Sequence, residues 1–214
     1  MGEIFAEPPE TGGRYEPLGA AQLLDHDGRS VRLRAGSTIV EIAALAPDLF
    51  RVGAFPEGSP PEYASEAIAK EDWDPVEVSV GLTGGTLAFS TSVAVHISLD
   101  PLRISFTDAS GRTFAADDAG LGMGFVRQPE ADVFTQPVGS PVRLYKRREE
   151  AERYFGCGER TSGLEKTGSY QIFWNVDPPL GHTASFNNLY ASIPFTLSLA
   201  NGRAHGLFFD NTHL

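Results

Sequence analysis

Residues 76–106 read VEVSVGLTGGTLAFSTSVAVHISLDPLRISF, and the period of this stretch decides the fold class. Val76, Val78 and Val80 alternate with Glu77 and Ser79. Val93, Val95, Ile97 and Leu99 alternate with Ala94, His96 and Ser98, and Leu102–Phe106 repeats the pattern. A period of two puts one face of each segment in a core and the other toward water. Thr83-Gly84-Gly85 is a tight turn into a strand at Thr86–Ser90, and Asp108–Gly111 is a turn into Thr113–Ala116, so the strands follow one another as an antiparallel meander.

Working outward toward the N-terminus, Ala20–Leu24 and Ser30–Arg34 flank His26-Asp27-Gly28 as strand, turn and strand. Thr38–Leu45 and Leu49–Phe55 follow, separated by Pro47-Asp48, with the β-branched and aromatic content of half-buried strands. Residues 56–62, PEGSPPE, are linker-like. Glu62–Lys70 reads as a loop, with one short helical turn as the alternative. Residues 1–17 hold Pro8, Pro9, Gly12, Gly13 and Pro17 without a period and read as a flexible leader or an edge strand. Nowhere does a 3.6-residue apolar period persist beyond about two turns. The expected fold is therefore all-β: an antiparallel sandwich of more than ten strands in two large sheets, forming a single domain over 18–214.

Composition agrees and excludes several functions. The 23 glycines and 15 prolines in 214 residues exceed the roughly 12% of average usage and suit many turns. Seventeen Lys and Arg against 28 Asp and Glu leave a formal charge of −11, which speaks against nucleic acid as a partner. The densest basic run, Lys146-Arg147-Arg148, is neutralised by Glu149, Glu150 and Glu152. One cysteine, Cys157, permits no internal disulfide and fits a reducing compartment; between two glycines and with no motif tying it to a His, it reads as a small buried residue. The N-terminal residues show neither a basic n-region nor an apolar h-region, and no apolar run is long enough to span a membrane. The expectation is a cytoplasmic protein without a membrane partner. Gly120–Gly124, GLGMG, lacks the context of a phosphate loop. The five histidines, at 26, 96, 182, 205 and 213, show no metal-ligand spacing, so neither metal nor cofactor is expected.

The last third is denser in aromatic residues beside Asn and Asp, a composition suited to sugars because ring faces stack on pyranose faces while short polar side chains bond the hydroxyls. Three segments stand out: YFGCGER at 154–160, FWNVDPP at 173–179 and NLYASIPFTLSLANGRAHGLFFDN at 188–211. In order and spacing they resemble the N-terminal domain of glycoside hydrolase family 31 enzymes of the α-glucosidase and α-xylosidase kind, with Cys157 where Leu is common. The resemblance implies a galactose-mutarotase-like sandwich. It also implies that both catalytic carboxylates belong to a (β/α)₈ barrel following this domain, which takes about 250 residues. The 214 residues are then expected to contain no catalytic residue, to pack on that barrel and help shape a pocket for an oligosaccharide or α-glycoside, and to show no turnover alone. Homo-oligomerisation stays open. The alternative is a stand-alone carbohydrate-binding or mutarotase-like sandwich, the latter needing a His and a Glu converging on one sheet face.

For individual residues two readings stand side by side. The resemblance makes Asp177 part of the subsite that receives the leaving-group sugar; an Asp before Pro178-Pro179 also caps a turn by itself. Trp174 is a stacking platform or a half-buried core residue on a strand at Gln171–Trp174. Asn175 binds sugar or ties the loop backbone. His182 lines the rim or simply sits in the loop. Glu159 and Arg203 are read as backbone-bonded and solvated turn residues, and Asp210 and Asn211 as fixing the chain by side-chain to backbone bonds.

Overall fold

A computed structural model describes residues 13–56, 58, 65–127, 142–177 and 189–210. They contain fifteen strands and no helix, and every strand pairing is antiparallel. Two compact units emerge, one from the described residues of 13–64 and 68–147, the other from 65–67 and those of 148–210.

The first unit carries β1 (Arg14–Pro17), β2 (Gln22–His26), β3 (Ser30–Ala35), β4 (Thr38–Ala46), β5 (Leu49–Phe55), β6 (Ser79–Thr83), β7 (Thr86–Ser90), β8 (Ala94–Leu99), β9 (Leu102–Thr107), β10 (Thr113–Phe114), β11 (Met123–Arg127) and β12 (Val142–Leu144). The strands β2 to β5 form a four-stranded meander, and β6 to β10 a five-stranded one. Their inner faces share one core. Val31, Leu33, Val40, Ile42 and Ala44 come from the first sheet; Leu87, Phe89, Val95, Ile97, Leu102 and Ile104 come from the second. The Phe50 ring spans the two sheets, 6.2 Å from Phe89 and 5.9 Å from Phe106. Phe89 is fully buried, a change worth about 2–3 kcal/mol relative to exposure. This is the sandwich the alternation demands.

A third sheet, in the order β1-β11-β12, pairs Arg14 with Arg127 and Pro17 with Gly124. Arg103 holds the surrounding loops: its guanidinium donates to the carbonyls of Leu18, Leu102, Asp118, Ala119 and Gly120. Where two large sheets were expected, the described residues form four smaller ones. One expected element also differs. The strand foreseen at Val76–Val80 begins only at Ser79, because its partner β7 ends at Ser90 and offers nothing to pair with earlier. Around Glu62–Lys70, described residues 65–70 form a turn at Glu66-Ala67, in keeping with the loop reading.

The second unit is a sheet of β13 (Arg153–Gly158), β14 (Ser192–Ala200) and β15 (Arg203–Phe208) in that order. Its two faces are chemically reversed from the usual arrangement. Along β14 the large apolar side chains Ile193, Phe195, Leu197 and Leu199 are exposed, whereas Ser198 and Ala200 are buried. Tyr154, Ser198 and His205 lie in one cross-strand row. The Ser198 hydroxyl donates to the buried Glu152 carboxylate, and the Glu149 N–H donates to it at 2.9 Å. Burial alone would raise the Glu152 pKa; the hydrogen bonds from Ser198, Glu149 and Tyr154 and the neighbouring His205 outweigh it and hold the carboxyl below its ordinary value.

Candidate functional site

The candidate site grows from the end of β13. Gly156, Cys157 and Gly158 all have positive φ, at 100°, 71° and 78°, and the register against β14 shifts between Gly156 and Gly158. The bulge admits only glycine at both flanks. A Cβ on Gly156 would stand 2.6 Å from the Phe195 carbonyl oxygen, and one on Gly158 would stand 2.3 Å from that of Ala191. Cys157 itself is buried with its thiol 3.8 Å from the Thr196 hydroxyl, matching its reading as a small buried residue. A bulge bends its strand and redirects the residues that follow.

Those residues are Glu159 and Arg160. The Glu159 N–H donates to the Ala191 carbonyl at 2.7 Å. The Arg160 guanidinium binds the loop that follows: it donates to the carbonyls of Glu159 at 2.8 Å and Ile172 at 2.8 Å, to Gln171 Oε1 at 3.2 Å and to Ser192 Oγ at 3.2 Å. It also lies 5.4 Å above the Phe173 ring. Burial lowers its pKa, yet a guanidinium stays charged in proteins. Residues 171–177 have no regular secondary structure, which corrects the strand expected at Gln171–Trp174. The carbonyl of Ile172 is taken by Arg160 and no strand pairs with the segment.

Two further bonds fasten this segment to the start of β14. Asn175 Oδ1 accepts the Ser192 N–H at 2.7 Å, and the Val176 N–H donates to the Leu189 carbonyl at 3.1 Å. Asn175 thus ties the loop backbone. Trp174, instead of entering a core, is 51% exposed, and Asp177 is exposed as well. The phenol of exposed Tyr190 donates a hydrogen bond to the Asp177 carboxylate. Loss of solvent, then the charge of Asp177 and its hydrogen bond, then the charge of Glu159 raise the Tyr190 pKa. Asp177, Glu159 and Tyr190 therefore form one cluster, and exposed Trp174 lies three residues before Asp177 in the chain. Carboxylates accept hydroxyl protons and an exposed indole offers an apolar face, so the set suits a neutral polyhydroxyl ligand.

His182 lies outside the described residues, as does Asn211. Asp210 accepts a hydrogen bond from the Ser65 hydroxyl, not from backbone as expected. Sequence reasoning gave Tyr190 no role and Glu159 a backbone one. The signal available was that each stands, as Asp177 does, in one of the three matched segments. Among the described residues, no three His, Cys, Asp or Glu side chains gather as metal ligands. A Glu and a His do approach each other, Glu152 and His205 at 3.9 Å, but their side chains are only 7% and 18% exposed, and Glu152 is committed to Ser198 and Glu149. That pair is a structural one.

Residues 39–214 match the family model described as the glycosyl hydrolase 31 N-terminal galactose mutarotase-like domain. The chain belongs to this family. As a family 31 N-terminal domain it is 30% identical to Alpha-glucosidase 2 of Bacillus thermoamyloliquefaciens, in an alignment covering 98% of the chain and 26% of that protein. Among solved structures it resembles the family 31 dextranase of Flavobacterium johnsoniae bound to isomaltotriose, with a TM-score of 0.74 and 24% identity over 92% of the chain and 23% of the dextranase. The Xanthomonas citri α-xylosidase gives a TM-score of 0.61 and 20% identity over 82% of the chain and 18% of the xylosidase. The chain thus spans about a quarter of the length of the curated relative it matches. The fold is the galactose-mutarotase-like sandwich of family 31, read correctly from the motifs at 154–160, 173–179 and 188–211.

Proposed function

We propose that residues 18–214 act as one accessory domain of an α-glycosidase, packing on the catalytic domain and completing its pocket with Asp177, Trp174 and Tyr190. The observation that carries this reading is the reversed sheet of the second unit. Ile193, Phe195, Leu197 and Leu199 of β14 and Phe208 of β15 all lie exposed, with Phe195 directly opposite Phe208. Contiguous apolar surface of this kind marks a partner surface, and the site loop is fastened to the start of the same strand. The continuous family match through 39–214 supports treating both units as one domain. The binding of isomaltotriose by the dextranase relative supports an oligosaccharide as ligand. The single cysteine supports a cytoplasmic setting.

The packing half of the proposal is tested with Leu197→Lys. In the 214-residue chain the substitution replaces an exposed side chain and should change stability by no more than about 0.5 kcal/mol. In an enzyme carrying this domain joined to its catalytic domain, the same change should lower the thermal midpoint and the activity together. Equal stability of both enzymes would contradict a docking role for this face.

A further inference from the structure

We propose that the first unit carries a further sugar site: a groove taking a neutral oligosaccharide between the Ala46-Pro47 turn, the Thr91-Ser92 turn and the segment Lys70–Glu77. It rests on the reading above that the protein works on carbohydrates. The groove has a volume of about 540 Å³, inside the roughly 300–1,000 Å³ of small-molecule sites. Its floor is held in place, because the hydroxyls of Thr91 and Ser92 both donate to the Pro47 carbonyl and lock two hairpin turns together.

The wall is Trp73. Its indole N–H is committed to the Lys70 carbonyl at 3.1 Å, which fixes the half-buried ring and leaves the face away from Lys70 Nζ as the binding element. Lys70 Nζ stands over one face of the ring, 5.3 Å from its centroid, and makes a loose ion pair with Asp72 at 3.9 Å. A cation already at the ring disfavours a cationic ligand. Asp74 and Glu77 line the groove and engage no ion pair or hydrogen bond among the described residues, so two carboxylates are available to accept hydroxyl protons. They also oppose an anionic ligand. A held aromatic ring, free acceptors and one ammonium donor together select a neutral polyhydroxyl chain.

The test titrates maltotriose and isomaltotriose separately into the ¹⁵N-labelled 214-residue protein and follows amide shifts. The groove predicts shifts at 70–77 and 91–92, with the dissociation constant raised about tenfold or more by Trp73→Ala. The double variant Asp74→Asn with Glu77→Gln, which leaves the Trp73 wall intact, should also weaken binding. Shifts confined to Trp174, Asp177 and Tyr190 would overturn the groove and leave the function proposed above standing. No shifts anywhere would also overturn the groove, and the kinetics of Asp177 variants would then judge the function on their own.

Discussion

Replacing Gly158 with alanine should dismantle the candidate site at its root, and the size of the effect follows from two separate costs. Gly158 has φ +78°, and an L-residue in that region costs about 1–2 kcal/mol. The added Cβ would also stand 2.3 Å from the Ala191 carbonyl oxygen and 2.5 Å from the Ile193 nitrogen. Both are backbone atoms at the start of β14, so relief requires moving a strand, and overpacking of that kind costs a further roughly 1–3 kcal/mol. The expected total is about 3 kcal/mol. Two controls in the same unit separate the terms. Gly168 shares the positive φ, at 73°, but has nothing within 4 Å of its Cβ position, so Gly168→Ala should cost about 1 kcal/mol. Gly163 has open space and no positive φ, so Gly163→Ala should lose nothing. The assay is urea unfolding followed by Trp174 fluorescence in a Trp73→Phe background, which reports on this unit alone. With a slope of about 2 kcal/mol/M, the Gly158 variant should lose about 1.5 M in midpoint. Equal losses for Gly158→Ala and Gly168→Ala would refute the tight bulge.

Three other consequences concern charge and hydrogen bonding. Because the folded pKa of Glu152 lies below its ordinary 4.5, the stability it contributes is fully present above about pH 4.5 and drains away as the pH falls through the folded value. Glu152→Gln should flatten that acid limb in urea midpoints measured from pH 7 to 3. The Tyr154 phenol is pushed up to about 12 by burial first, and then by the charge and hydrogen bond of Glu152. Its stabilising effect is present below the ordinary value of 10 and lost as the pH rises through 12. An alkaline absorbance titration should show a tyrosine component near pH 12 that disappears in Tyr154→Phe. Arg103→Ala strips a guanidinium from five carbonyl acceptors in the first unit and should cost about 3 kcal/mol in urea unfolding read by Trp73 fluorescence.

The sandwich was legible wherever a local turn closed a local pair. Asp27-Gly28 is such a case: Asp27 Oδ1 accepts the N–H groups of Arg29 and Ser30, and Gly28 takes φ +79°. The turn at Thr83–Thr86 and the alternation at Val93–Leu99 likewise carry their structure within a few residues. β11 was not legible. Its glycine-rich approach has no alternation, and it pairs with Arg14–Pro17 more than a hundred positions earlier. Gly124 is needed there because a Cβ would meet the Glu16 carbonyl at 2.3 Å, a constraint visible only in three dimensions. The site shows the same division. Asp177 and Trp174 were singled out through a motif, whereas the partnership of Glu159 with Tyr190 depends on a bulge and a long-range pairing. Trp174 looked like a strand residue until Arg160 was seen to hold its segment outside any sheet.

The proposed function uses Asp177 to bind a leaving-group sugar. Asp177→Ala is to be assayed in an enzyme carrying this domain joined to its catalytic domain, on a disaccharide and on an activated aryl α-glycoside. kcat/KM for the disaccharide should fall about tenfold or more, the loss of one charge-assisted hydrogen bond, with the aryl glycoside little affected. Equal losses on the two substrates, or none on either, would contradict it.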